Sequence, residues 1–138
     1  MNVLDFGKTK DGVQTHLYTI KNEDLECRVT DFGSILVNLF VPDKHGKPVD
    51  VVLGFDTVSG YEQDTASLGC NVGRCANRIG GASFTLDGRT YTLDKNDGEN
   101  CLHSGFHQYS KRIWTVTQHP DTSVAFSLHS PNMDQGFP

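Results

Sequence analysis

Ser83-Phe84-Thr85-Leu86-Asp87-Gly88-Arg89-Thr90-Tyr91-Thr92-Leu93 is the stretch whose reading decides the fold. Phe84 and Leu86 precede Asp87-Gly88, and Tyr91 and Leu93 follow it. β-Branched and aromatic residues fill a pleated surface well. Asp-Gly accepts the positive φ angles that a tight two-residue hairpin turn demands. The stretch is therefore expected to be a β-hairpin.

The same grammar recurs on both sides. Thr15, Leu17 and Thr19 alternate with His16, Tyr18 and Ile20, which reads as a strand. Leu25, Cys27 and Val29 alternate with Glu26, Arg28 and Thr30, which predicts a strand with one apolar and one wet face. Ile35 to Val41 is more uniformly apolar and reads as a strand covered on both faces. Val49 to Leu53 is a further short strand, joined to it by the turn residues 42–47. Ile113 to Gln118 and Ser123 to Ser130 form another hairpin about His119-Pro120-Asp121-Thr122. The first ten residues are polar and are expected to be a loose lead-in. One helical turn is predicted near Val58–Tyr61, and no sustained apolar repeat at helical spacing appears. Strand after strand with short loops predicts an all-β antiparallel fold.

Composition narrows the function. The net charge is −5, spread without long runs, whereas a nucleic-acid surface wants a basic stripe. No run of about 18 apolar residues offers a membrane span. Met1 to Phe6 lacks the basic start and apolar stretch of a signal peptide, so a cytoplasmic protein is expected. In such a setting Cys27, Cys70, Cys75 and Cys101 are expected as free thiols. The spacing of Cys70, Cys75, Cys101 and His103 does not match the tight pairs of structural zinc sites, and no metal is expected.

Two loops flank the central hairpin. Gly69-Cys70-Asn71-Val72-Gly73-Arg74-Cys75-Ala76-Asn77-Arg78-Ile79 comes before it, and Asn100-Cys101-Leu102-His103-Ser104-Gly105 after it. Arginine offers a planar fork of donors, asparagine both donors and an acceptor, and histidine either. Asn77, Arg78 and His103 suit a small polyhydroxylated ligand. Without further context, Arg78 would as readily pair with one of the 17 acidic residues, because surface ion pairs are common. Likewise, a lone loop histidine is more often solvated than functional. Trp114 and Phe106 offer faces for stacking on a pyranose or for core packing; Trp114 opens a strand, which favours core.

Gly73-Arg74-Cys75-Ala76-Asn77-Arg78-Ile79, the spacing to Phe84-x-Leu86-Asp87-Gly88, Asn100-x-Leu102-His103-x-Gly105 and Trp114 together resemble the aldose 1-epimerase (galactose mutarotase) family, from about Tyr18 to the last residue. The resemblance implies an antiparallel β-sandwich of the mutarotase supersandwich type, with residues 1–138 as the N-terminal part of its single domain. It implies that Asn77 and Arg78 bind sugar hydroxyls, that His103 sits in the same site, and that Arg74 holds the loop. The implied reaction interconverts the α and β anomers of a free aldohexose such as galactose or glucose by acid–base ring opening, with no cofactor.

Ser104 stands where the family has glycine. Family members are also far longer, and their catalytic histidine and glutamate fall beyond Pro138. A catalytic residue is thus expected nowhere within the chain, which reads as a fragment inactive by itself. The rival readings are a non-catalytic carbohydrate-binding module, a relative acting on hexose 6-phosphates, for which the −5 charge offers no basic pocket, and a purely structural β protein.

Overall fold

The computed structural model describes residues 2–138. The strands run, in chain order, β1 (Asn2–Lys8), β2 (Gln14–Lys21), β3 (Glu26–Thr30), β4 (Ile35–Pro42), β5 (Pro48–Asp50), β6 (Arg78–Ile79), β7 (Ser83–Leu86), β8 (Arg89–Thr92), β9 (Cys101–Leu102), β10 (Thr115–Gln118) and β11 (Ala125–Ser127). One α-helix of six residues, α1 (Val58–Gln63), and three short 3-10 turns complete the described elements. Every named strand pair is antiparallel. No helix among the described residues is long and apolar enough to cross a membrane. Contacts group the chain into two compact units, one made of the chain up to Asn71 with Ile113–Leu128, the other of Val72–Arg112 with His129–Pro138.

In the first unit, β1 to β5 form one sheet in sequential order. Its core is Phe6, Leu17, Phe32, Ile35, Val37, Val58 and Tyr61. Thr57 caps α1 by accepting the Gly60 N–H on its hydroxyl, one of the orphan donors that every helix start presents. The β10–β11 hairpin belongs to the same unit. Trp114 lies just before β10, is half-buried, and donates its backbone N–H to the Asp31 carbonyl at 2.8 Å.

Two sequence expectations are corrected here. The polar N-terminus is a strand: Asn2 pairs with Thr19 and Lys8 with Gln14. β1 is an edge strand, held by backbone pairing and by Phe6 in the core, so its other side chains, Val3 and Leu4 included, can stay exposed. Met1 lies outside the described residues. On β3, the face carrying Thr30 is the buried one. Register aligns Leu17, Thr30 and Ile35, and their exposures are 7%, 0% and 2%. Val29 shares the opposite, half-buried face with Tyr18 and Leu36. Cross-strand neighbours, not the strand's own alternation, decide which face closes.

In the second unit, β7 and β8 form the hairpin read from Asp87-Gly88, in register Ser83↔Thr92 to Leu86↔Arg89. Asp87 and Gly88 have φ of 50° and 75°, both positive as the tight turn requires. Ala82, Leu93, Cys101 and Phe137 are its buried core, with Ile79 and Phe84 packed against it. The hairpin thus separates, in sequence, two short strands that pair directly: Arg78↔Leu102 and Ile79↔Cys101 on β6 and β9.

Candidate sugar-binding site

The β6–β9 pairing brings the three expected site residues together within the second unit. One step beyond the ladder, the His103 N–H donates to the Asn77 carbonyl at 3.0 Å. The Asn77 N–H returns a hydrogen bond to Nδ1 of the His103 ring, also at 3.0 Å. Nδ1 is therefore an acceptor here, which fixes the tautomer that carries its proton on Nε2. Arg78 donates from Nη1 to the Asn77 side-chain oxygen at 3.3 Å and from Nε to Asp97 Oδ2 at 2.6 Å. Asn77 and Arg78 are exposed and His103 is half-buried.

The backbone here is unusual. Asn77, His103 and Ser104 have φ of 62°, 51° and 70°, and Gly105 continues at 110°. Asparagine and histidine are the side chains that tolerate this region best; serine is not. Ser104 nevertheless takes the left-handed path expected of the family's glycine. It is 1% exposed, and its hydroxyl accepts the Cys75 N–H at 2.8 Å and donates to the Cys75 carbonyl at 3.2 Å. Those two bonds offset the strain and tie the Arg74–Asn77 loop to the His103 loop.

Arg74 has no donor directed at an open surface. Its guanidinium donates to the Ser130 hydroxyl and carbonyl, the Pro131, Phe137 and Pro138 carbonyls and the Tyr109 hydroxyl. It pins the loop to the segment 130–138. Gly73 makes this possible at close quarters, since a Cβ there would stand 2.5 Å from Cδ2 of the Tyr109 ring. Arg112 and Asp134 pair twice, at 2.7 and 2.9 Å. That guanidinium, with the Ser130 hydroxyl, draws the Asp134 carboxyl down to about 2. Burial pushes the Cys101 thiol up, so it stays protonated near neutrality.

Sequence reading passed over two residues of the loop 94–99. Asn96 donates its amide to the Leu102 and Gly105 carbonyls at 2.8 and 2.9 Å and accepts the Leu102 N–H at 2.7 Å. Asp97 holds Arg78. Their signal was present as Asn-Asp-Gly, a turn motif whose side chains hydrogen-bond backbone. Of the two aromatic candidates, Phe106 is 67% exposed and borders an open cleft with Asp94, His107, Arg112 and Met133; Trp114 belongs to the other unit.

An all-β antiparallel chain thus interlocks an Asn-Arg pair and a histidine beside one hairpin, and comparisons with known proteins narrow its class. The sequence profile described as Aldose 1-epimerase matches residues 16–138. The chain is 39% identical over 121 residues to galactose mutarotase of Bos taurus, a match spanning 88% of the chain and 35% of that protein. It is 36% identical over 129 residues to aldose 1-epimerase of Escherichia coli K12, covering 93% of the chain and 37% of the relative. Its fold superimposes with a TM-score of 0.83 on a GalM/aldose epimerase homologue from C. elegans, at 41% identity, covering 88% of this chain and 38% of that one. The fold also matches galactose 1-epimerase from Lactobacillus acidophilus with a TM-score of 0.82. The chain belongs to the aldose 1-epimerase family. It spans a little over a third of the length of these relatives.

Proposed function

We propose that the chain is the N-terminal part of a single mutarotase-like β-sandwich domain and contributes the sugar grip of an aldose 1-epimerase acting on free aldohexoses such as galactose and glucose. Asn77, Arg78 and His103 are its sugar ligands. The observation that carries this reading is the reciprocal pairing of Asn77 and His103 beside the exposed Arg78 guanidinium.

Anomer exchange needs a base to take the anomeric hydroxyl proton and an acid to protonate the ring oxygen. The C1–O5 bond then breaks, the aldehyde rotates, and the oxygen re-adds from the other face. Positioned acid–base help contributes about 10²–10⁴-fold. Arg78 donates to hydroxyl oxygens and His103 donates from Nε2–H, so both orient the ring. Neither is placed as the base: Arg78 is permanently charged, and the lone pair of His103 Nδ1 is already engaged. Acid and base are assigned, as the family resemblance implies, to the part of the relatives that this chain does not span. An exposed apolar stripe supports this: Val49, Val51, Leu53 and Phe55, at alternate positions, are 43%, 57%, 80% and 37% exposed, a surface that wants covering.

Two measurements on the chain test the reading. Titration with D-galactose is expected to shift the NMR signals of Asn77, Arg78 and His103; unmoved signals would refute the grip. Polarimetry of α-D-galactose is expected to show no acceleration by the chain. An accelerated rate would place the acid and base within it. Binding without acceleration in every longer form of the polypeptide would favour a non-catalytic carbohydrate-binding module instead.

A further inference from the structure

The ion pair of Arg78 and Asp97 is too wet to matter much for folding. The two side chains are 54% and 34% exposed, so water and salt compete for both partners. Its consequence is conformational. An arginine side chain has several rotatable bonds and loses that freedom when it binds a ligand. Here Asp97 takes Nε at 2.6 Å and Asn77 takes Nη1 at 3.3 Å, which fixes the guanidinium plane from two sides. Both N–H groups of Nη2 and one of Nη1 have no protein acceptor among the described residues. They form a fork matched to two adjacent oxygens.

The carboxylate is itself held in place. Asp97 and Asn100 exchange backbone hydrogen bonds at 3.2 and 3.0 Å, closing a tight turn around Gly98. The Asn100 side chain accepts the Gly81 N–H at 3.3 Å. The Asn96 amide anchors the same loop to the carbonyls of Leu102 and Gly105, on either side of His103. A rigid chain of contacts therefore runs from the His103 loop through Asn96 and Asp97 to Arg78.

We propose that Asp97 is a positioning residue of the sugar site: it pre-sets the Arg78 guanidinium so that its unengaged N–H fork meets two neighbouring hydroxyls of a pyranose. This rests on the reading of Arg78 as a sugar ligand. Pre-ordering one such side chain is expected to strengthen binding by about three- to tenfold.

The test uses Asp97→Asn, which keeps the shape and removes the charge, and Asp97→Glu, which keeps the charge on a longer arm. The Nε–H signal of Arg78 is followed in ¹⁵N-labelled full chain, and each protein is titrated with D-galactose. In Asp97→Asn the Nε–H signal is expected to move toward that of a solvated arginine, with affinity three- to tenfold lower and an unchanged melting transition. Asp97→Glu is expected to restore both, in part. If the parent chain binds galactose and Asp97→Asn binds it equally well, or if the Nε–H signal ignores the substitution, Asp97 does not position Arg78 for the sugar. A parent chain that binds no galactose, with the Nε–H signal still dependent on Asp97, overturns the sugar-ligand reading itself.

Discussion

The N–H of Asn77 donates to His103 Nδ1 at 3.0 Å while the N–H of His103 donates to the carbonyl of Asn77 at the same distance. Two residues 26 apart in sequence thus lock each other, one by backbone alone and the other through its ring. The lock leaves the Nε2–H of the imidazole as its outward donor.

Replacing His103 with alanine removes the ring acceptor and that donor together. Asn77 is exposed, so water can satisfy its N–H, and the stability loss is expected to be only about 1 kcal/mol. Galactose binding is expected to fall by at least tenfold, or about 1.4 kcal/mol. Thermal melting and a sugar titration read the two effects separately. A large loss of stability with unchanged affinity would make His103 structural.

Ser104 separates strain from hydrogen bonding. Ser104→Ala keeps the strained φ of 70° and loses both bonds to the exposed Cys75; a cost of about 1–3 kcal/mol is expected for the two, at about 0.5–1.5 kcal/mol each. Ser104→Gly loses the same bonds but relaxes the backbone, recovering about 1 kcal/mol. Denaturant melts should rank parent, glycine and alanine variants in that order. Alanine ranking above glycine would mean that the left-handed strain is not felt at this position.

Arg74 is expected to be irreplaceable by lysine. Its planar fork reaches several carbonyls and the Ser130 hydroxyl at once, which a single ammonium cannot span. Arg74→Lys is expected to cost about 2–3 kcal/mol in protection of the amides in 130–138, since hydrogen bonds to charged groups contribute about 1.5–3 kcal/mol each. Hydrogen exchange reads this locally. Unchanged protection there would show that the clamp is dispensable.

The Arg112–Asp134 pair sets an acid limit on the same segment. The Arg112 guanidinium holds the folded carboxyl at about 2, below the ordinary aspartate value of 3.8, so the unfolded chain binds the proton more tightly. Stability from the pair is complete above about pH 4 and is lost as pH falls through about 2. Chemical shifts of Arg112 and Ser130 should follow that titration, and Asp134→Asn should abolish it. A midpoint near 4 in the parent chain would contradict the pairing.

Much of this protein was legible locally. Asp87-Gly88 determined a hairpin turn because few other residue pairs accept two consecutive positive φ angles. Period-two runs determined most of the remaining strands, and the Asn-Arg and Leu-His motifs marked the residues that the fold gathers. Long-range pairing was not legible. Asn2–Lys8 carries Val3, Leu4 and Phe6 without clean alternation, and an edge strand needs none, because it is held by backbone hydrogen bonds that any residue can make. The buried face of β3 depended on which strands lay beside it, and the partners of Asp97 and Arg74 lie 19 to 64 residues away.

By itself the sequence determined an antiparallel β chain of the aldose 1-epimerase family, since turn chemistry, alternation and short motifs are properties of neighbours along the backbone. Only the tertiary structure decided that His103 presents Nε2, that Ser104 can stand in for glycine, and that Arg78 pairs with Asp97. Those outcomes depend on which donor meets which acceptor across the β6–β9 pairing, and hydrogen-bond geometry between distant residues leaves no local trace in the chain.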